Sequence, residues 1–220
     1  MKVKTLGKDP MLWIALTLLT TIVVFSICLK THPLKAIPLC VSCFVMLLQS
    51  KVNRYSFLLG GLNSILYTFS YVLMDLHVSA AYALLVSFPL QLISFVKWNQ
   101  NTQNGVTKTK RLNTKGRIKI FGLIMVSCIV LYFVFMGFGS PHLVPDNISS
   151  VLGIVSTVLG MLRYSEYALF QLIGGMMGLV RDVSVIRADA SNLVNIFMTI
   201  YALSCSTISF IRMNKQSKVV

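Results

Sequence analysis

KWNQNTQNGVTKTKRLNTKGRIK, residues 97–119, is a stretch that no bilayer would accept: seven of its residues are Lys or Arg, and most of the rest are Asn, Gln, Thr or Gly. On either side the chain is oily. The protein has 220 residues, 55% of them hydrophobic and 12% charged, with mean hydropathy +0.76. Soluble domains carry roughly 25% charged residues, so a water-exposed fold could not hide this much apolar surface. A membrane span takes about 20 mostly apolar residues, which leaves room for roughly eight spans, short connections and no separate soluble domain.

Eight apolar segments emerge, at residues 11–29, 34–48, 55–73, 79–96, 118–137, 148–162, 167–180 and 192–211. Lipid offers no hydrogen-bond partners, so each should be helical. The polar turn at residues 163–166 separates the sixth span from the seventh, because one helix running from 148 to 180 would overshoot the membrane. Lys2, Lys4 and Lys8 precede the first segment as they would in a signal peptide, yet no small-residue cleavage pattern follows. It therefore reads as a retained span. After it, the basic loop divides the remaining seven spans as three, one and three.

The expected fold is an all-α polytopic membrane protein with an extra N-terminal helix and two three-helix bundles joined by a linker helix. The corresponding segments are 1–33 (tail and extra helix), 34–97 (first bundle), 98–147 (basic loop and linker helix), 148–212 (second bundle) and 213–220 (tail). An Arg-Tyr-Ser followed by a Gly pair occurs in both halves, at residues 54–61 and 163–175, although the spacing differs by five. Repeated bundles of this kind are a known transporter plan.

The net charge of +14 invites a nucleic-acid reading, but the basic residues cluster between apolar runs and at the termini. With the N-terminus in the cytosol, 16 of the 20 Lys and Arg residues fall on the cytosolic side. That bias sets topology and puts both termini on the cytosolic side of a cell membrane. The expected partners are the lipid bilayer and a small molecule, with no nucleic acid, no cofactor and no metal, and a homo-oligomer left open. Cys40 and Cys43 form a C-x-x-C with no second pair or nearby His, so packing is their reading. His32, His77 and His142 fall in connections, and no catalytic or metal-binding spacing is present; no enzyme is expected. Asn147-Ile-Ser149 matches a glycosylation sequon by pattern.

Candidate site residues follow from helical spacing. Asn63, Tyr67 and Tyr71 recur every four residues, so one stripe presents an amide and two phenols. Pro89 should kink its helix, and Gln91 just beyond it offers both a donor and an acceptor. Tyr167, Phe170, Gln171 and Gly174 share a face that could stack a flat heterocycle and hydrogen-bond its edge. Trp98 is expected to anchor at the membrane interface. Arg181, Asp182, Arg187 and Asp189 are expected to pair with one another among the headgroups. No charge falls in the middle third of a span, which leaves a proton or sodium relay without its carboxylate. No phosphate-binding loop suggests ATP.

GGLNSILYTF (residues 60–69) followed by FPLQLISFVKW (residues 88–98) resembles the PnuC family of bacterial vitamin transporters, through Asn63, Tyr67, Pro89, Gln91 and Trp98. The resemblance extends over residues 36–213. It implies the three-one-three arrangement shared with SWEET-type sugar transporters, a bacterial plasma-membrane location, and facilitated uptake of a nucleoside-like vitamin retained by phosphorylation in the cytosol. Nicotinamide riboside is the leading substrate; thiamine, riboflavin and deoxynucleosides are carried by relatives. Where the family has Trp-x-x-Trp, this chain has Tyr167 and Phe170; on the last helix it has Tyr201 and then Cys205. The resemblance thus implies a site of Asn63, Tyr67, Gln91, Tyr167, Phe170, Gln171 and Tyr201. A vitamin-binding subunit of an ATP-driven transporter is the alternative.

Overall fold

The computed structural model describes residues 10–103, 106–107, 109–137, 142–188 and 190–216. Lys2, Lys4, Lys8, Lys108, Asp189 and Lys218 lie outside them. Eight long helices account for most of the described residues: α1 (Pro10–Cys28), α2 (Pro33–Ser50), α3 (Tyr55–Val72), α4 (His77–Gln100), α5 (Thr114–Met136), α6 (Leu143–Met161), α7 (Tyr167–Ala188) and α8 (Leu193–Gln216). Seven of them are long and apolar enough to cross a membrane. The eighth, α3, is as long as α2 but carries Asn63, three tyrosines and three serines. Its polar residues Ser56, Asn63, Ser64 and Ser70 are buried, while Leu62, Phe69 and Val72 face outward. In lipid that inversion is the stable one, since polar groups find partners only inside the bundle.

Helices α2, α3, α4, α6, α7 and α8 pack in that order, and α8 returns to α2, closing a ring of six. Each trio therefore meets the other along two seams, α4 with α6 and α2 with α8. Helix α1 lies outside the ring against α2 and α8, with Ile22 buried and Phe25 edge-on to Phe197. Helix α5 has no buried residue and touches the ring mainly along α6. Its role is topological: three crossings leave the chain on the opposite side, and a fourth lets the second trio begin where the first did.

Several boundaries differ from the sequence reading. Helix α5 starts at Thr114, capped by the Asn113 side chain accepting from Gly116 N at 2.8 Å, so part of the basic loop is helical. Before it, Thr102–Gln103 pairs with Val106–Thr107 as β1 and β2, and Lys110 exchanges backbone bonds with Arg163 and Ser165. The loop is thereby fastened to the α6–α7 turn. Helix α6 begins at Leu143, with Pro145 in its first turn, where a missing N–H costs nothing. Helix α7 runs on to Ala188, about two turns past where apolar content fades.

The glycine pairs serve different seams. A Cβ on Gly174 would lie 3.2 Å from the Leu152 side chain of α6, so that glycine sets how closely α7 approaches its predecessor. Gly60 instead faces α4. Asn147 is buried, and its Nδ2 donates to the Cys128 carbonyl at 2.7 Å, tying α6 to α5. It has no surface to offer a glycan, and the sequon pattern is incidental.

Candidate functional site

A cavity of about 280 Å³ lies inside the ring and is lined by all six of its helices. Helix α3 contributes Phe57, Tyr67 and Tyr71; α4 contributes Ser79, Tyr82 and Gln91; α7 contributes Tyr167, Phe170, Gln171 and Arg181. Its chemistry is aromatic rings interspersed with amides and hydroxyls, the usual lining of a site that holds a flat polar solute.

Local structure explains how α4 presents both Tyr82 and Gln91. Residues nine apart on a straight α-helix face opposite ways, at about 100° per residue. Here Tyr82–Ser87 form a π-helical turn, with Phe88 N bonded to the Ala83 carbonyl. The wider turn absorbs one extra residue and swings Gln91 back toward the face of Tyr82. Pro89 has no N–H for the Leu85 carbonyl and its ring crowds that position, so a widened turn there relieves a clash that an α-helix would suffer. The kink expected from Pro89 takes this form, and the helix stays continuous.

On α3, Asn63 Nδ2 donates to Ser42 Oγ at 2.8 Å, and Ser42 Oγ donates to the Tyr67 hydroxyl at 2.9 Å. The relay leaves the Tyr67 proton available, while Tyr67 stacks on Tyr71 with ring centres 5.2 Å apart. Gln91 lies against Gly60, where an added Cβ would come within 2.9 Å of Gln91 Oε1. Across the cavity, Gln171 Nε2 donates to Gln49 Oε1 at 3.0 Å, joining α7 to α2. Gln171 Oε1 is buried and has no hydrogen-bond partner among the described residues.

Both ends are closed by bonds that cross between the trios. At one end Trp98, expected as an interfacial anchor, is instead 0% exposed. Its Nε1 donates to the Gly160 carbonyl at 2.7 Å, and its ring sits edge-on to Tyr167 and beside Phe57. A membrane anchor needs a wet edge, which this indole lacks.

At the other end two of the four charges expected among the headgroups, Arg181 and Asp182, turn inward, while Arg187 is exposed. Arg181 lines the cavity and pairs with Asp182 at 3.0 Å, their side chains only 12% and 4% exposed. Thr199 Oγ1 donates to Asp182 Oδ2 at 2.6 Å, and Arg181 lies over the Tyr71 ring at 5.3 Å. Asp146, fully buried, accepts from Val78 N at 3.1 Å, Ser79 N at 3.3 Å and the Ser79 hydroxyl. A carboxylate of α6 thus caps the start of α4, where orphan N–H groups and the helix dipole favour an anion. Arg181 Nη1 donates to the same Ser79 hydroxyl at 3.1 Å. Sequence reasoning missed this cluster because apolar content fades before Arg181; the cue was an Asp in the first turn of α6.

Of the seven residues named from sequence, Tyr67, Gln91, Tyr167, Phe170 and Gln171 line one cavity. Asn63 stands behind its wall, reaching it through Ser42. Tyr201 lies elsewhere, in the core packed between α2 and α8 with Leu39, Cys43 and Met198. Its helix presents Met198, Thr199 and Ala202 to the cavity instead. Among the described residues no group of three His, Cys, Asp or Glu side chains could hold a metal ion.

A family model for nicotinamide mononucleotide transporters matches residues 32–212. A solved structure described as the crystal structure of the vitamin B3 transporter PnuC shares the fold, with TM-score 0.80 and 20% sequence identity over 94% of this chain and 91% of that one. No curated protein matches the chain.

Proposed function

The chain belongs to the nicotinamide mononucleotide transporter family, of PnuC type, and from that premise we propose that it carries a nucleoside-like vitamin, nicotinamide riboside first among the candidates, through its membrane by alternating access. The observation behind this reading is the cavity inside the ring, whose aromatic walls carry an orphaned amide oxygen on Gln171 and a spare hydroxyl proton on Tyr67. A flat base stacks between rings such as Tyr67, Phe170 and Tyr167. Its carboxamide or ribose hydroxyls then complete the polar groups of Gln171, Tyr67 and Gln91, each a net gain of about 1 kcal/mol.

Charge argues for the riboside over the mononucleotide. Arg181 is the basic residue of the lining, and it is engaged with Asp182 and Ser79. A phosphate would have to break that pairing, and a paired buried charge separated from its partner costs several kcal/mol. The carboxylates have structural duties, Asp182 toward Arg181 and Thr199 and Asp146 toward α4, which favours facilitated diffusion without a coupled ion.

The positive-inside bias supports a Trp98 closure that faces the cytosol and an Asp146–Arg181 closure that faces outside. Transport requires the two closures to open in turn as one trio rocks against the other.

The test is uptake into liposomes containing this chain alone, without ATP, across nicotinamide riboside, thiamine, riboflavin, deoxynucleosides and nicotinamide mononucleotide. Nicotinamide riboside should enter fastest and the mononucleotide not at all. Gln171→Met, which keeps the volume and removes the acceptor, should weaken uptake about tenfold through KM. Binding without uptake would instead identify a capture subunit, and preferred entry of the mononucleotide would sink the charge argument.

A further inference from the structure

The turns at the Trp98 end of the two trios are built alike. In the α2–α3 turn Val52 N bonds the Gln49 carbonyl at 2.9 Å and Asn53 N bonds the Leu48 carbonyl at 3.0 Å. In the α6–α7 turn Arg163 N bonds the Gly160 carbonyl at 3.0 Å and Tyr164 N bonds the Leu159 carbonyl at 2.9 Å. Val52 and Arg163 are both left-handed, with φ of 54° and 64°. The correspondence pairs Gly160, whose carbonyl receives the Trp98 indole, with Gln49. The carbonyl next to it, that of Ser50, also receives a side chain from the last helix of the opposite trio: Arg212 Nη1 of α8 donates to it at 2.5 Å.

The two bonds answer one another as expected of bundles repeated about an axis along the membrane normal. Trp98 fastens the α4–α6 seam and Arg212 the α2–α8 seam. Beside both lies one apolar plug, in which Met213, the neighbour of Arg212, is buried with Trp98, Phe57 and Leu159.

Their chemistry differs. Trp98 is dry, whereas Arg212 is exposed, and its acceptor is one of the carbonyls that a helix end leaves without a helical partner. A cation there also meets the negative end of the α2 dipole. Gln49, one residue earlier, accepts from Gln171 inside the cavity. Helix α2 therefore ends in two neighbouring bonds to the second trio, one at the solute site and one at the rim.

We propose that Arg212 is the second latch of the closure at the Trp98 end, holding α2 against α8 while that end is shut and letting go when it opens. Arg212 is not part of the cavity lining and acts by positioning α2. The role rests on the alternating-access reading, since a latch has meaning only if that end opens. A bond made in one state and lost in the other shifts the balance by its own strength, and a hydrogen bond from a charged donor is worth roughly tenfold or more.

Trp98 reports on this closure directly. The chain has two tryptophans, and Trp13→Phe on α1, outside the ring, leaves Trp98 as the sole indole. In nanodiscs of that background, with no solute present, Arg212→Met should raise acrylamide quenching of Trp98 about twofold or more as the open state fills. Arg212→Lys, which returns a cation to the end of α2, should recover most of the parent behaviour. Lys215→Met, which removes an exposed charge from the same helix, should change nothing. An unaltered Trp98 in Arg212→Met, an equal rise in Lys215→Met, or no recovery in Arg212→Lys would each overturn the assignment. Should Arg212→Met not insert, Arg212→Gln takes its place. Uptake without a response of Trp98 would sink the latch alone, and a response of Trp98 without uptake of any solute would sink the choice of cargo alone.

Discussion

Single atoms decide how Gln91 is held. Gly60 leaves a gap filled by the Gln91 amide, and a methyl group there would meet Oε1 at 2.9 Å. The atom displaced is the flexible end of a side chain, so the fold should survive while the amide moves. Gly60→Ala is therefore expected to insert and melt close to the parent yet take up substrate about tenfold less well. Because the effect runs through one amide, adding it to Gln91→Ala should cost nothing further. A measured additive loss would mean that Gly60 matters for helix packing instead. Of the residues named at this scale from sequence, Tyr67 on α3 and Tyr167, Phe170 and Gln171 on α7 reach the cavity because their spacing matches a helical face, and Gln91 on α4 reaches it through the π-turn. Tyr201 misses the cavity, as its spacing to Cys205 fixes a shared face without saying which way that face turns.

At the level of elements, the π-turn of α4 makes a prediction opposite to the usual one. Deleting a residue from an α-helix rotates everything beyond it by about 100°, which should be fatal in a site-bearing span. The π-turn already holds a surplus residue. Removing lipid-facing Leu85 together with Pro89→Ala, which lifts the clash an α-turn would create, should give a regular helix with Tyr82 and Gln91 in their present phase. Uptake within about threefold of the parent is expected, whereas deleting Leu62 from α3 should abolish it. If both deletions are equally damaging, the phase argument fails. Nothing in the hydropathy of residues 77–100 announces a π-turn; Pro89 was the visible sign, and it reads equally well as a kink.

For the whole molecule, the claim is that two closures alternate. Ser79 of α4 and Ser150 of α6 belong to different trios, and their hydroxyl oxygens are 3.0 Å apart. Ser79→Cys with Ser150→Cys should form a disulfide on oxidation that pins this end shut. Uptake should then fall by more than tenfold and return on reduction, while each single variant stays insensitive to oxidant. Undiminished transport by the cross-linked protein would show that the solute takes another route. The ring also explains why eight crossings are needed for a six-helix pathway: α5 restores the direction of the chain, and α1 lies outside.

Sequence alone determined that the chain crosses the membrane about eight times as helices and that a basic loop splits the crossings into three, one and three. Lipid leaves a backbone no partner but itself, so apolar length translates directly into span count. It also determined which residues share a helical face, because that is arithmetic within one element. Tertiary structure alone decided where those faces point and which polar residues belong inside. Asp146 is bound by backbone 67 residues away, Arg181 by a hydroxyl 102 residues away, and Trp98 by a carbonyl 62 residues away. A charge or an indole can enter the membrane interior only when such a distant partner receives it, and that meeting is settled by how the helices pack.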